Sequence, residues 1–88
     1  MLRKSLVINP KDNVAVLLEK ANVNDSIEVN GIQTELVQAI DFGHKAALQD
    51  LKPDDLVIKY GEEIGYMLDD IVKGGWIHNH NMGCRRGK

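Results

Sequence analysis

Aligned on their leucines, three stretches of the chain share one pattern of apolar and polar positions: LEKANVNDSIE (18–28), LQDLKPDDLVI (48–58) and LDDIVKGGWIH (68–78). Leu18, Leu48 and Leu68 open the frame, and Ala21, Leu51 and Ile71 fill its fourth place. Asn24-Asp25, Asp54-Asp55 and Gly74-Gly75 stand at the seventh and eighth places, and Ile27, Val57 and Ile77 at the tenth. Asn, Asp and Gly accept the backbone angles of a tight turn, and an alternating segment after such a turn reads as a strand. The pattern therefore predicts one kind of corner used three times, each turning the chain into a new strand.

The segments between the corners are short and rich in Val and Ile, which leaves no room for a long amphipathic helix and points to a compact, mainly β domain. Asn30-Gly31, between Val29 and Ile32, is the strongest short hairpin signal, and predicts that Ile27 and Val29 pair back against Ile32 and Thr34. PKDN (10–13) turns the chain from a strand around Leu6–Ile8 into VAVLL, which is apolar throughout and so expected at the centre of a sheet. TELVQAI (34–40) could line a helix face with Leu36, Val37 and Ile40, but reads better as a strand.

Composition narrows the function classes. At 88 residues the chain builds one small domain with little interior left to enclose a substrate, so any site it forms alone is shallow. A net charge of −2 gives no electrostatic reason to expect nucleic acid or a membrane surface. The apolar run Leu6–Ile8 is too short for a signal peptide or a membrane span, so a cytoplasmic location is expected. The one cysteine, Cys84, allows neither an internal disulfide nor a thiolate-rich zinc site, and sits in a Gly-Arg tail, 83–88, expected to be disordered.

Packing leaves several polar positions unexplained. In FGHKAAL (42–48), Gly43 permits a bend that would project His44 and Lys45 from a sheet rim; the plainer reading is a loop histidine and a solvated lysine. In VIKYGEEIG (57–65), Lys59 shares a face with core positions and could simply lay its stem over apolar surface. Alternatively, Lys59 and Tyr60 offer a cation and a hydroxyl to an anionic ligand, with Gly61 and Gly65 letting it approach the backbone. Glu62 and Glu63 read as a solvated turn. In WIHNHN (76–81), strand geometry would put His78 and His80 on one face, where they could chelate a metal, although a catalytic metal normally takes a third protein ligand. A polar rim accounts for the pair as readily as a site does, and Asn81 adds a donor and an acceptor for hydroxyl groups.

Taken together, INPKDNVAVLL, FGHKAALQDL and VIKYGEEIGYMLDDIVKGGWIHNHN resemble the small N-terminal SAF-type domain of the altronate/galactarate dehydratase family. The resemblance runs from about Ile8 to Asn81 and rests on Asp12-Asn13-Val14-Ala15, Gly43-His44-Lys45, Ile58-Lys59-Tyr60-Gly61, Ile64-Gly65 and His80-Asn81. It implies a compact β-clip fold over residues 1–82, with short strands and at most short helical turns. The family's enzymes eliminate water from sugar acids to give 2-keto-3-deoxy acids and require a divalent metal, often iron(II).

The family's small domain is either fused to a much larger catalytic protein or a separate subunit of it. The expectation here is a small subunit whose isolated chain is inactive, with the metal bound mainly by the large subunit. On this resemblance His44, Lys45 and His80 are candidate catalytic residues, and Lys59, Tyr60, Gly61 and Asn81 candidate substrate contacts. His78 and His80 are candidate metal ligands. Which residue acts as base and which as acid is left open. Two alternatives stand beside this reading: the small subunit of a sulfolactate sulfo-lyase, which eliminates sulfite from a 2-hydroxy acid, and a non-catalytic sugar-acid binding or interaction module. The tail after Asn81 departs from the family's pattern.

Overall fold

The computed structural model describes residues 1–84, and within them every regular element is a strand. In chain order these are β1 Leu2–Arg3, β2 Ser5–Leu6, β3 Val14–Leu17, β4 Ser26–Val29, β5 Ile32–Glu35, β6 Lys45–Ala47, β7 Leu56–Lys59, β8 Glu62–Met67, β9 Trp76–Ile77 and β10 Met82–Gly83. They form three small sheets, in the orders β1-β4-β5, β10-β8-β7 and β2-β3-β6-β9. The domain is mainly β, as the sequence predicts. All four residues of β3 are buried, and β3 lies inside its sheet between β2 and β6, which is where an uninterrupted apolar strand belongs.

The corner predicted three times occurs four times. The additional copy places Val37, Ile40, Gly43-His44 and Ala46 in the frame occupied by Leu18, Ala21, Asn24-Asp25 and Ile27. The corners then pair: Ala21 bridges Ile40, and Leu51 bridges Ile71, with backbone hydrogen bonds in both directions at each bridge. Two hairpins complete the duplication, since Asn30-Gly31 closes β4–β5 and Tyr60-Gly61 closes β7–β8, each with both turn residues at positive φ. The positive-φ residues fall into matched pairs: Asn24 with Asp54, Asn30 with Tyr60, Gly31 with Gly61, and Gly43 with Gly74. The two halves differ at a bulge in the β7–β8 ladder, where Val57 opposes Gly65 and Ile58 opposes Glu63, leaving Ile64 unopposed.

The predicted hairpin register is observed, with Ile27 opposite Thr34 and Val29 opposite Ile32. Three expectations change. The strand drawn through residues 34–40 stops at Glu35, because Leu36 turns into the core of the unpredicted corner and donates its N–H to the Asp25 carbonyl. Glu62 and Glu63 are the first residues of β8, not a turn; the turn is one step earlier, at Tyr60-Gly61. β9 ends at Ile77, and residues 78–81 form a turn, so the i, i+2 rule of a strand does not govern His78 and His80. Of the 83–88 tail, Gly83 is paired with Tyr66 in β10 and Cys84 is exposed, while residues 85–88 lie outside the described residues.

The core divides in two, following the duplication. Leu17, Ala21, Ile27, Leu36 and Ile40 pack in one cluster, and Val14, Leu51, Val57, Met67 and Ile77 in the other. Asp12-Asn13 supply a polar clamp onto β7 and the hairpin that follows it. The Asn13 amide donates to the Leu56 carbonyl (2.8 Å) and accepts from the Ile58 N–H (2.8 Å), and Asp12 accepts the Gly61 N–H at 2.7 Å. Burial pushes the Asp12 carboxyl upward, but backbone donors at Gly61, Asn9, Tyr60 and Ile8 together outweigh it and hold it below the ordinary aspartate range. Asn13→Ala removes both bonds and strands two backbone groups of β7, so a loss of about 2–3 kcal/mol in urea denaturation is expected. A loss below about 0.5 kcal/mol, the level of ordinary surface substitutions, would show that the clamp is incidental.

Asp25 ties β1 to the first corner. Its carboxylate takes the Asn22 N–H and the Arg3 Nε–H, both at 2.8 Å, and these bonds lower its pKa to about 2.

Candidate functional site

β6 runs antiparallel to β9 with Lys45 opposite Ile77 and Ala46 opposite Trp76. That register carries residues 44 and 78, one step beyond the paired positions, to the same rim. Their imidazoles stack at 4.0 Å between centroids with planes 7° apart. Trp76 lies beside them: its indole Nε1–H donates to His44 Nδ1 at 3.0 Å, and the two rings are nearly parallel, 10° apart. His80, beyond the turn, packs on the Trp76 ring at 4.5 Å and 42°. The result is an aromatic and imidazole cluster at one edge of the four-stranded sheet.

Asn81 builds the turn that brings His80 back. Its side chain accepts the His78 N–H at 3.0 Å and donates to the Trp76 carbonyl at 2.9 Å, and its own N–H reaches the His78 carbonyl at 3.1 Å. Both polar ends of the buried amide are thus bonded to the backbone of the segment that carries the cluster.

Lys45 adds charge next to the rings. It is only 9% exposed, and among the described residues no carboxylate lies within ion-pair reach of it. Burial first, and then repulsion from Lys59, depress its pKa below the ordinary lysine value. His78 is likewise pushed below the ordinary histidine range, by burial first and then by His44, Lys45 and His80. Its Nδ1 is buried and meets no hydrogen-bond partner among the described residues. A half-buried Lys59 supplies the second cation, its Nζ standing 5.0 Å from the centroid of the Tyr60 ring.

The structure thus gathers His44, Lys45, His78 and His80 into one neighbourhood, with Lys59 near enough for its charge to depress the Lys45 pKa and with Tyr60 beneath the Lys59 ammonium. Tyr60 is a bulky residue in the left-handed region (φ 57), where Asn30 occupies the matching place in the other half; such a conformation costs roughly 1–2 kcal/mol. Gly61 is occupied differently from the sequence expectation. Its N–H is taken by Asp12, and a Cβ there would strike the Asn9 side chain. Gly65, read from sequence as leaving room for a ligand, is instead packed against the Gly83 carbonyl of β10. Sequence reasoning assigned no role to Trp76, for which an aromatic residue two positions before a histidine pair was the available signal, and read Asp12-Asn13 as a turn and part of the family signature without their bonds to β7.

The rim does not fit a metal held by this chain alone. Among the described residues no group of three or more His, Cys, Asp or Glu is arranged to hold an ion. The face-to-face stack sets the His44 and His78 nitrogens in parallel planes, and His44 Nδ1 is engaged by the indole. A cleft of about 680 Å³ lies elsewhere, along Leu2–Ser5, and its Arg3 is paired with Asp25 and Glu19. Among the described residues no helix is long and apolar enough to cross a membrane.

Fold and cluster together define a class, a small all-strand domain that carries a basic, imidazole-bearing rim at one sheet edge. Comparison with known proteins makes this specific: residues 3–85 match the altronate/galactarate dehydratase SAF domain, and the chain belongs to that family. It is 35% identical over 80 residues to the altronate dehydratase of Bacillus subtilis (strain 168), covering 91% of this chain and 16% of that protein. It is 42% identical over 74 residues to the altronate dehydratase of Escherichia coli (strain K12), covering 84% of the chain and 15% of the relative. The (2R)-sulfolactate sulfo-lyase subunit alpha of Paracoccus pantotrophus is 51% identical over 47 residues, 53% of this chain and 70% of the relative. The chain therefore spans about a sixth of the altronate dehydratases it matches.

Proposed function

We propose that this chain is the small SAF-type component of a cytoplasmic lyase that removes water from a sugar acid, of the hexonate or hexarate type, to give a 2-keto-3-deoxy acid. Its rim would complete an active site shared with a larger catalytic subunit. The observation that carries the reading is the convergence of Lys45, buried without a carboxylate partner among the described residues, with Lys59 and the His44–His78 stack.

The residue types suit a β-elimination next to a carboxylate. Abstraction of the proton beside the carboxylate drives negative charge into it, and fixed cations facing that position stabilise the charge where water is excluded. Lys45 and Lys59 take this role. His44 and His80 handle hydrogen bonds and protons at the substrate's hydroxyl groups, and the Tyr60 hydroxyl, on the side chain beneath Lys59, is a further donor for them. Asn81 and Gly61, whose polar groups are engaged within the chain, act through the turns they hold. Because the rim does not fit a metal alone, the divalent ion that the family resemblance implies, iron(II), belongs to the larger subunit in this reading, and no step here runs through it.

A second reading has its own support. The 51% identity to a sulfo-lyase alpha subunit favours a sulfonate as leaving group, with the same cationic rim receiving the carboxylate. Affinity capture of the tagged chain from its native cells, followed by assay of the captured complex with ferrous iron, tests both. A stoichiometric partner several times larger, and turnover of altronate or galactarate, is the expected result. Turnover of sulfolactate alone would select the second reading, and capture of no partner would favour a binding module.

A further inference from the structure

Trp76 sits outside every role assigned so far, yet among the described residues it makes the one side-chain hydrogen bond to a site imidazole. An indole N–H is a donor only, so the nitrogen it meets must offer a lone pair. That nitrogen is His44 Nδ1, at 3.0 Å. Neutral imidazole carries a single proton, which is then on Nε2. The two rings are nearly parallel, 10° apart, with centroids 5.8 Å from each other. Stacking of His78 on the face of His44, at 4.0 Å and 7°, fixes the plane of the ring, and a half-turn within that plane would put Cδ2 where Nδ1 accepts the indole N–H and lose the bond. His80 on the Trp76 ring braces the indole in turn.

The geometry points to Trp76 as a positioning residue that holds His44 in the Nε2–H tautomer, so that His44 meets the substrate as a hydrogen-bond donor and not as the proton-abstracting base. This inference rests on the proposed placement of His44 at the shared active site, and it answers the acid-or-base question the sequence leaves open. A neutral imidazole donating through Nε2–H suits an oxygen on which negative charge grows, either the substrate carboxylate or the departing hydroxyl. The base must then be another group. Trp76 achieves this from a neighbouring strand, because the β6–β9 register sets position 76 opposite 46, two residues along from His44.

The first measurement needs no substitution. In the ¹⁵N-labelled chain at about pH 8, above the ordinary histidine range, two-bond ¹H–¹⁵N spectra should show His44 as the Nε2–H tautomer. A scalar coupling should connect the Trp76 indole N–H to His44 Nδ1. A bare Nε2, or a protonated Nδ1, overturns the inference. In Trp76→Phe, which keeps an aromatic ring and removes the donor, the ratio of tautomers should move toward Nδ1–H by roughly fivefold, the net worth of one hydrogen bond. An unchanged ratio in the folded variant also overturns it.

The assembled enzyme supplies the chemical arm. His44→Gln keeps an N–H donor near the Nε2 position and should retain turnover at least about tenfold above His44→Ala, the scale of one charge-assisted hydrogen bond. Equal inactivity of the two variants would identify His44 as the base and sink the assignment. Full activity of His44→Ala would instead remove His44 from the active site, a failure of the functional reading that leaves the tautomer result standing.

Discussion

In the complex proposed above, with a larger catalytic subunit, His44→Ala is expected to lower kcat by about 10²- to 10⁴-fold, the span ordinarily lost with a positioned proton-handling or hydrogen-bonding group. The structure gives reasons to expect the fold to survive. His44 lies at a rim, half-buried, and its backbone bonds to Leu17 and Asp41 do not depend on the side chain. What disappears is the acceptor of the Trp76 N–H and one face of the stack with His78. Far-UV circular dichroism and the unfolding midpoint should therefore be close to wild type while turnover collapses. His80→Ala should behave in the same direction. Wild-type turnover in the folded His44→Ala complex would show that the cluster is a polar rim, and the binding-module reading would gain.

Lys45→Met should give the opposite signs for stability and activity, and that contrast is diagnostic. Lys45 is held in the chain without a carboxylate partner among the described residues, desolvated and repelled by the charge of Lys59. A thioether of similar reach removes the desolvation and the repulsion, so the variant should be more stable by about 1 kcal/mol, the usual gain when a residue kept for function is replaced by one suited to its surroundings. Turnover should fall by at least about tenfold, the loss of one charge-assisted contact to the carboxylate. The pH dependence follows from the direction of the shift. The folded-state pKa lies below the unfolded value, so the cost of holding the ammonium is fully present below the folded-state pKa. It fades as pH rises from there toward the ordinary lysine value, and over that interval the wild type gains stability with pH. Lys45→Met should lack this rise. Urea unfolding at neutral and alkaline pH makes the comparison; a variant that is both less stable and fully active would show Lys45 to be a structural residue.

The two predictions separate roles that the family's sequence signature runs together. Asp12-Asn13 and Asn81 carry as much of the resemblance as His44-Lys45, but their side chains are bonded to backbone within the chain and hold β7 and the 78–81 turn in place. A motif read from sequence records that a residue type matters at a position. Whether it matters to the fold or to a ligand is decided by what its polar atoms already touch.

Much of the architecture was legible because it is written in residues whose backbone preferences are local. Asn30-Gly31 specified its hairpin and register, since both turn positions need positive φ and these two residues accept it. The fourth corner escaped because Val37 and Ile40 continue an apolar run from Leu36, and a run of that kind looks like strand when the pairing partner is unknown. The second hairpin escaped for the converse reason: Tyr60 is a poor residue for a left-handed turn, and Asp12, far back in the chain, receives the Gly61 N–H that the turn presents. His78 and His80 were placed on one face by a strand rule that fails once Asn81 draws the chain into a turn.

The sequence by itself determined that this chain is an all-strand domain built from repeated corners, that it belongs to the altronate/galactarate dehydratase SAF family, and which polar residues stand apart from its core. Turn chemistry and apolar alternation act over a few residues, so they survive in one dimension. Only the tertiary structure decided that corners pair two by two, that His44 stacks on His78, and that Trp76 chooses the nitrogen on which His44 carries its proton. Those contacts join positions distant in the chain, and their existence depends on the β6–β9 register, which no local preference at either strand contains.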